Sequence, residues 1–105
     1  MFGLSKNTID KINSIFDTIQ EIDKVVIYGS RAKGNFTEGS DIDLSLKGNQ
    51  LTDQIVSIIK SKLEELNLPY LFDISIYNTL ISKELKEHID RKGKLFYNTY
   101  TDLKN

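Results

Sequence analysis

The sequence predicts an α+β domain in which about four strands form a mixed, largely antiparallel sheet flanked by three helices. Apolar residues recur at helical spacing in three segments, and short β-branched or alternating runs lie between them. The predicted order is helix, strand, strand, helix, strand, helix, strand. A loop of about a dozen residues, with no crossover helix, joins the first two strands, and this favours an antiparallel pair.

The N-terminal half holds one amphipathic helix and two strands. The helix begins near Ser5 or Asn7, and its apolar residues lie three or four positions apart: Ile9, Ile12, Ile15, Phe16, Ile19 and Ile22. Residues 24–28 form a β-branched run that predicts a buried strand. Residues 29–40 form a glycine-punctuated loop with one helical turn, and residues 41–47 alternate as a half-buried strand does.

The C-terminal half adds two helices and two strands. The next helical stripe consists of Leu51, Ile55, Ile58, Ile59, Leu63 and Leu66. Residues 71–77 predict a third strand, and residues 79–91 a third helix with Gly93 as its C-terminal cap. Residues 94–97 predict the last strand, and the tail after Asn98 is polar. One domain is therefore expected over residues 1–105.

Composition excludes several classes of protein. The 105 residues carry a formal net charge of −1, whereas dedicated nucleic-acid binders usually have a basic excess. No cysteine is present, which excludes disulfides and zinc–thiolate sites. No apolar run approaches ~18 residues, and polar residues interrupt the N-terminus at once, so neither a membrane span nor a signal peptide is expected. A cytoplasmic location is the resulting expectation.

Three aspartates are the candidate catalytic and metal-binding residues. Asp41 and Asp43 stand two apart on a predicted strand, so their side chains share a face. Asp73 interrupts the next strand and would meet them if the two strands are neighbours. Adjacent carboxylates repel unless a cation lies between them. Either they are solvated surface acids, or they hold Mg²⁺; three carboxylates could hold two ions about 3.5–4 Å apart.

A glycine-rich turn lies just upstream of the acids. Gly29 permits positive φ and close approach of a phosphate to backbone N–H groups, and Ser30 adds a hydroxyl. Arg31 and Lys33 could balance the charge of a triphosphate, although each taken singly is also typical of a solvated loop. Tyr28 is the tyrosine expected to line a nucleotide pocket.

The string GSRAKGNFTEGSDIDL resembles the minimal nucleotidyltransferases (MNT proteins) of the DNA polymerase β-like nucleotidyltransferase superfamily. Its glycine-serine pair, ten intervening residues and DxD match that signature, and the similarity covers the whole chain. The resemblance implies the nucleotidyltransferase fold, with Asp41, Asp43 and Asp73 as the catalytic metal-binding acids. It also implies that Gly29 and Ser30 hold the β- and γ-phosphates of ATP or another NTP.

The resemblance further implies a partner. Minimal members commonly pair with an all-helical HEPN protein, and in some toxin–antitoxin pairs the nucleotidyltransferase is the antitoxin that adenylylates the toxin. This chain lacks the arginine–histidine signature of the HEPN ribonuclease. Three functions remain open: a Mg²⁺-dependent transferase that modifies a partner protein, a non-catalytic binding antitoxin, and a transferase acting on a small molecule such as an aminoglycoside. Homo- or hetero-oligomers are compatible with each.

Overall fold

Four strands form one mixed sheet in the order β3–β2–β1–β4. A computed structural model describes residues 1–99. Its elements are α1 (Lys6–Phe16), β1 (Lys24–Tyr28), α2 (Ser30–Lys33), β2 (Ile42–Lys47), α3 (Asp53–Glu65), β3 (Phe72–Ile76), α4 (Lys83–Lys92) and β4 (Lys94–Asn98). A 3₁₀ turn, Tyr77–Thr79, follows β3. The predicted order, the α+β class and the three main helices are confirmed; α2 is the single helical turn expected after β1.

Strand direction follows from the connections. The loop between β1 and β2 makes that pair antiparallel, whereas α3 crosses over between β2 and β3 and makes them parallel. β4 returns antiparallel to β1. The sheet is therefore mixed and largely antiparallel, as predicted, and the strands with the candidate acids are direct neighbours.

The three main helices begin at hydroxyl caps. The side chains of Ser5, Thr52 and Ser82 each accept a hydrogen bond from the backbone N–H three residues later, at 3.1–3.2 Å. Ser82 explains why the last helix starts later than residue 79: the chain first makes its 3₁₀ turn, and the helix then begins at a new cap. The first helix ends at Phe16, so the rest of its predicted stripe lies in turns, although those side chains are still buried.

One face of the sheet supplies the core. The fully buried side chains of Ile42, Leu44 and Leu46 point to that face of β2, and Val25 and Ile27 join them from β1. Helices α1 and α3 contribute to the same cluster. The alternation of β2 then places Asp43, Ser45 and Lys47 on the opposite face. Within residues 1–99, no helix is both long and apolar enough to cross a membrane.

Gly93 ends α4 where this helix meets β1. Its backbone is extended (φ −68°, ψ 154°), and its N–H donates to Ile89 O at 2.9 Å. A Cβ at this position would lie 2.5 Å from both Ile89 O and Val26 Cγ1. The glycine is therefore required here by close packing, not by a left-handed conformation.

We expect Gly93→Ala to lower the free energy of unfolding by about 1–3 kcal/mol, the usual cost of overpacking a filled site. Urea denaturation measures the change. Gly39→Ala is the matched control, because a Cβ at Gly39 meets no atom within 4 Å outside its chain neighbours. Equal losses for the two variants would contradict the packing argument.

Candidate active site

Three polar side chains form a row across the face of the sheet opposite the core. The strand register pairs Tyr28 with Asp43 and Asp43 with Asp73. Asp43 is half-buried and Asp73 is exposed. Asp41, also exposed, precedes β2 by one residue. The β2–β3 pairing therefore brings together the acids that the sequence separates by thirty residues.

Burial and like charges together determine the electrostatics of this row. Burial raises the pKa of the Asp43 carboxyl above its ordinary value, and the charges of Asp73 and then Asp41 raise it further. Asp43 thus interacts with both other acids, as a site that attracts cations requires.

The carboxylates of this row suit a metal ion whose coordination is completed by a bound phosphate. Within the part of the chain described, no three Asp, Glu or His side chains are arranged to hold a metal ion by themselves. Mg²⁺ usually takes only one or two protein carboxylates and completes its shell with phosphate oxygens and water. The Asp41–Asp43 pair fits a metal–nucleotide complex on these terms. That the three aspartates hold two Mg²⁺ ions stays a prediction.

The turn after β1 is built against Asp43. Gly29 adopts φ +79° and ψ −156°, a conformation that is essentially restricted to glycine. A Cβ at position 29 would overlap Oδ2 of Asp43. The missing side chain therefore allows the carboxylate and the turn to lie in contact, which brings the turn predicted to hold phosphate next to a candidate metal ligand.

The remaining candidates of the loop take different positions. Ser30 begins α2 directly after this turn and is half-buried. Lys33 ends the same helical turn and is exposed. A contact between Lys33 and phosphate stays a prediction.

The side chain of Arg31 is buried inside the domain. Its side chain is only 2% exposed, and its guanidinium donates to the carbonyls of Phe2, Glu38 and Ser40. This geometry favours a structural role over the nucleotide contact that the sequence predicts. A cation two positions after the glycine is compatible with both roles, and only the tertiary fold separates them.

Tyr28 and its neighbours add hydroxyls to the acidic row. The ring lies edge-on to His88, with centroids 6.5 Å apart and planes at 80°. Burial raises the pKa of the Tyr28 phenol, Asp73 and Asp43 raise it further, and a hydrogen bond with Ser75 acts against them. Ser75 in turn donates to the buried Ser45 at 3.1 Å. These serines share a face with the aspartates, which strand periodicity could have indicated.

The family model for polymerase β nucleotidyltransferases matches residues 10–102. The chain belongs to that family. No curated protein matches the sequence.

The solved structures similar to this nucleotidyltransferase domain include three toxin–antitoxin structures. One complex solved with AMP-PNP superposes with a TM-score of 0.70 and 23% identity, over 94% of this chain and 77% of the other. An MntA–HpeT mutant with two aspartates, two positions apart, changed to glutamate gives 0.69 and 21%, over 94% and 77%. A second MntA–HpeT mutant, with a tyrosine changed to alanine, gives 0.67 and 25%, over 94% and 76%. These matches agree with the predicted minimal nucleotidyltransferase type of fold.

Proposed function

We propose that this protein is a Mg²⁺-dependent nucleotidyltransferase that moves AMP from ATP to a hydroxyl of a partner protein, as the antitoxin of an HEPN/MNT pair. The observation that carries the proposal is the contact between the Gly29 turn and Asp43, with Asp41 and Asp73 beside it. Acids and a phosphate-binding turn at one point are what nucleotidyl transfer requires. The family supports the reaction type, and the AMP-PNP complex of a similar protein supports the nucleotide.

Each residue of the site has a separate role in the proposed reaction. Asp41 and Asp43 would hold the metal, which would neutralise phosphate charge and polarise the α-phosphate. Gly29 and Ser30 hold the β- and γ-phosphates through the turn, and Lys33 balances their charge. Asp73 accepts the proton of the attacking hydroxyl. The acceptor oxygen bonds to the α-phosphorus, the bond to the β-phosphate oxygen breaks, and pyrophosphate leaves.

A protein acceptor is favoured by the surroundings of the acids. Asp41 and Asp73 are exposed, so the row faces outward. Similar solved structures include toxin–antitoxin pairs. A helical partner would cover the exposed row and supply the acceptor hydroxyl.

The test is transfer of label. The full chain is incubated with α-labelled ATP, Mg²⁺ and the protein encoded by the neighbouring gene. We expect label on that protein and release of pyrophosphate, both lost with EDTA. Changing Asp41 and Asp43 together to alanine should abolish both signals.

Two results would redirect the proposal. If no protein is labelled although AMP-PNP binds in the presence of Mg²⁺, the acceptor is wrong, and a panel of aminoglycosides is the next substrate class. If the double aspartate variant still neutralises the partner in cells, neutralisation occurs by binding and transfer is not its cause.

A further inference from the structure

Arg31 is a buried cation that has no carboxylate partner among the residues the structure describes. No acidic side chain of residues 1–99 forms an ion pair with it. Its three nitrogens donate instead to backbone carbonyls: Nε to Ser40 O at 3.1 Å, Nη1 to Phe2 O at 3.0 Å and Nη2 to Glu38 O at 3.1 Å. Burying a charge is costly unless its donors are satisfied, so this arrangement depends on all three segments being in place.

Two aromatic rings complete the environment of the guanidinium. Its carbon lies 5.2 Å from the ring centroid of Phe36 and 5.0 Å from that of Tyr70. Both distances are within the range of cation–π attraction. Planar stacking together with a fixed fork of donors is specific to arginine, and a lysine ammonium cannot reproduce it.

The groups that Arg31 joins are the two halves of the candidate site. Arg31 directly follows the Gly29–Ser30 turn, and its Nε holds the carbonyl of Ser40, the residue before Asp41. The guanidinium therefore fixes where Asp41 lies relative to the turn.

The N-terminal turn belongs to the same arrangement. Gly3 adopts φ +73°, and a Cβ there would overlap the Phe36 ring and lie 3.0 Å from Arg31 Nη1. Leu4 is buried in the core, which anchors the turn independently. Residues 1–4 thus present the Phe2 carbonyl to Arg31 from a fixed position.

We infer that Arg31 is a positioning residue, which sets Asp41 against the phosphate turn with residues 1–4 as its support. This inference rests on the proposed function for its consequence, because a displaced Asp41 weakens the metal–nucleotide complex. It replaces the direct nucleotide contact that the sequence predicts for Arg31.

The test is Arg31→Lys in the full chain, with two readouts. Amide hydrogen exchange without ligand should become faster in residues 35–41 and stay unchanged in the β1–β2 core. Affinity for AMP-PNP at fixed Mg²⁺ should fall by about 10-fold or more, as for other residues that orient metal ligands. Arg91→Lys is the matched control, because Arg91 is the other arginine of the chain and is exposed on α4; it should change neither readout.

A second variant keeps the test decisive if Arg31→Lys does not fold. Gly3→Ala leaves the guanidinium present and displaces its support, so it should reproduce both effects more weakly. Unchanged exchange in residues 35–41, or faster exchange with unchanged affinity, would overturn the inference. If the wild-type chain binds no nucleotide, the proposed function fails, and the exchange readout still tests whether Arg31 holds the loop.

Discussion

Asp43→Asn is expected to reduce nucleotidyl transfer by more than about 100-fold, because removing a metal ligand should cost more than removing a residue that only orients one. The same change should raise the melting temperature of the metal-free protein. Asp43 is half-buried and feels the charges of two other acids, and asparagine keeps its shape without its charge. One substitution would thus stabilise the folded protein and abolish the reaction. This trade-off is typical of a site in which like charges are kept close together to bind a cation.

The pH dependence of stability follows from the same charges. The pKa of Asp43 is raised in the folded chain above its ordinary value of 3.8, so the native state binds this proton more tightly than the unfolded state does. The stability contributed by protonation is complete below pH 3.8 and is lost as the pH rises through the raised value. Asp43→Asn should remove the part of the decrease in stability with rising pH that Asp43 causes.

Thermal unfolding in EDTA between about pH 4 and pH 8 measures the effect. Asp23→Asn is the matched control, since Asp23 is exposed on the loop before β1, at the end of that strand away from the acids. The control should retain transfer. A lower melting temperature for Asp43→Asn at neutral pH would contradict the repulsion argument, and full transfer activity would contradict its role as a ligand.

Much of the site could be predicted because its signals are local. Two acids two apart on an alternating strand must share a face, and a glycine after a β-branched run marks the turn beside them. Placing Asp73 opposite Asp43 required the helical segment between β2 and β3 as well, since a crossover helix makes these strands parallel neighbours.

The contacts of Arg31 could not be predicted, because they are made to backbone groups elsewhere in the chain. Its partners are carbonyls of Phe2, Glu38 and Ser40, and a carbonyl carries no sequence signal. Likewise, the contact of the half-buried His88 ring with Tyr28 depends on α4 packing across the open face of the sheet. Periodicity identifies which side of a helix is apolar, but not which strand the helix crosses.

Among substitutions that add one methyl group to the site, Gly29→Ala is expected to cause the largest loss of stability and activity. The backbone at Gly29 (φ +79°, ψ −156°) costs a residue with a side chain about 1–3 kcal/mol. The new Cβ would also overlap Asp43 Oδ2, so the carboxylate must move away from the turn. We expect a lower free energy of unfolding in urea. We also expect nucleotide transfer to fall by more than about 10-fold, as it does when metal ligands are displaced.

Gly34→Ala separates the two causes. Gly34 also has a positive φ, +92°, but a Cβ there meets no atom within 4 Å. It should lose about 1–2 kcal/mol through backbone strain alone and retain AMP-PNP binding and transfer. If Gly34→Ala loses transfer as severely as Gly29→Ala, backbone strain in the loop explains both. If only Gly29→Ala does, the contact between the turn and Asp43 is what the reaction needs, because that contact is the difference between the two glycines.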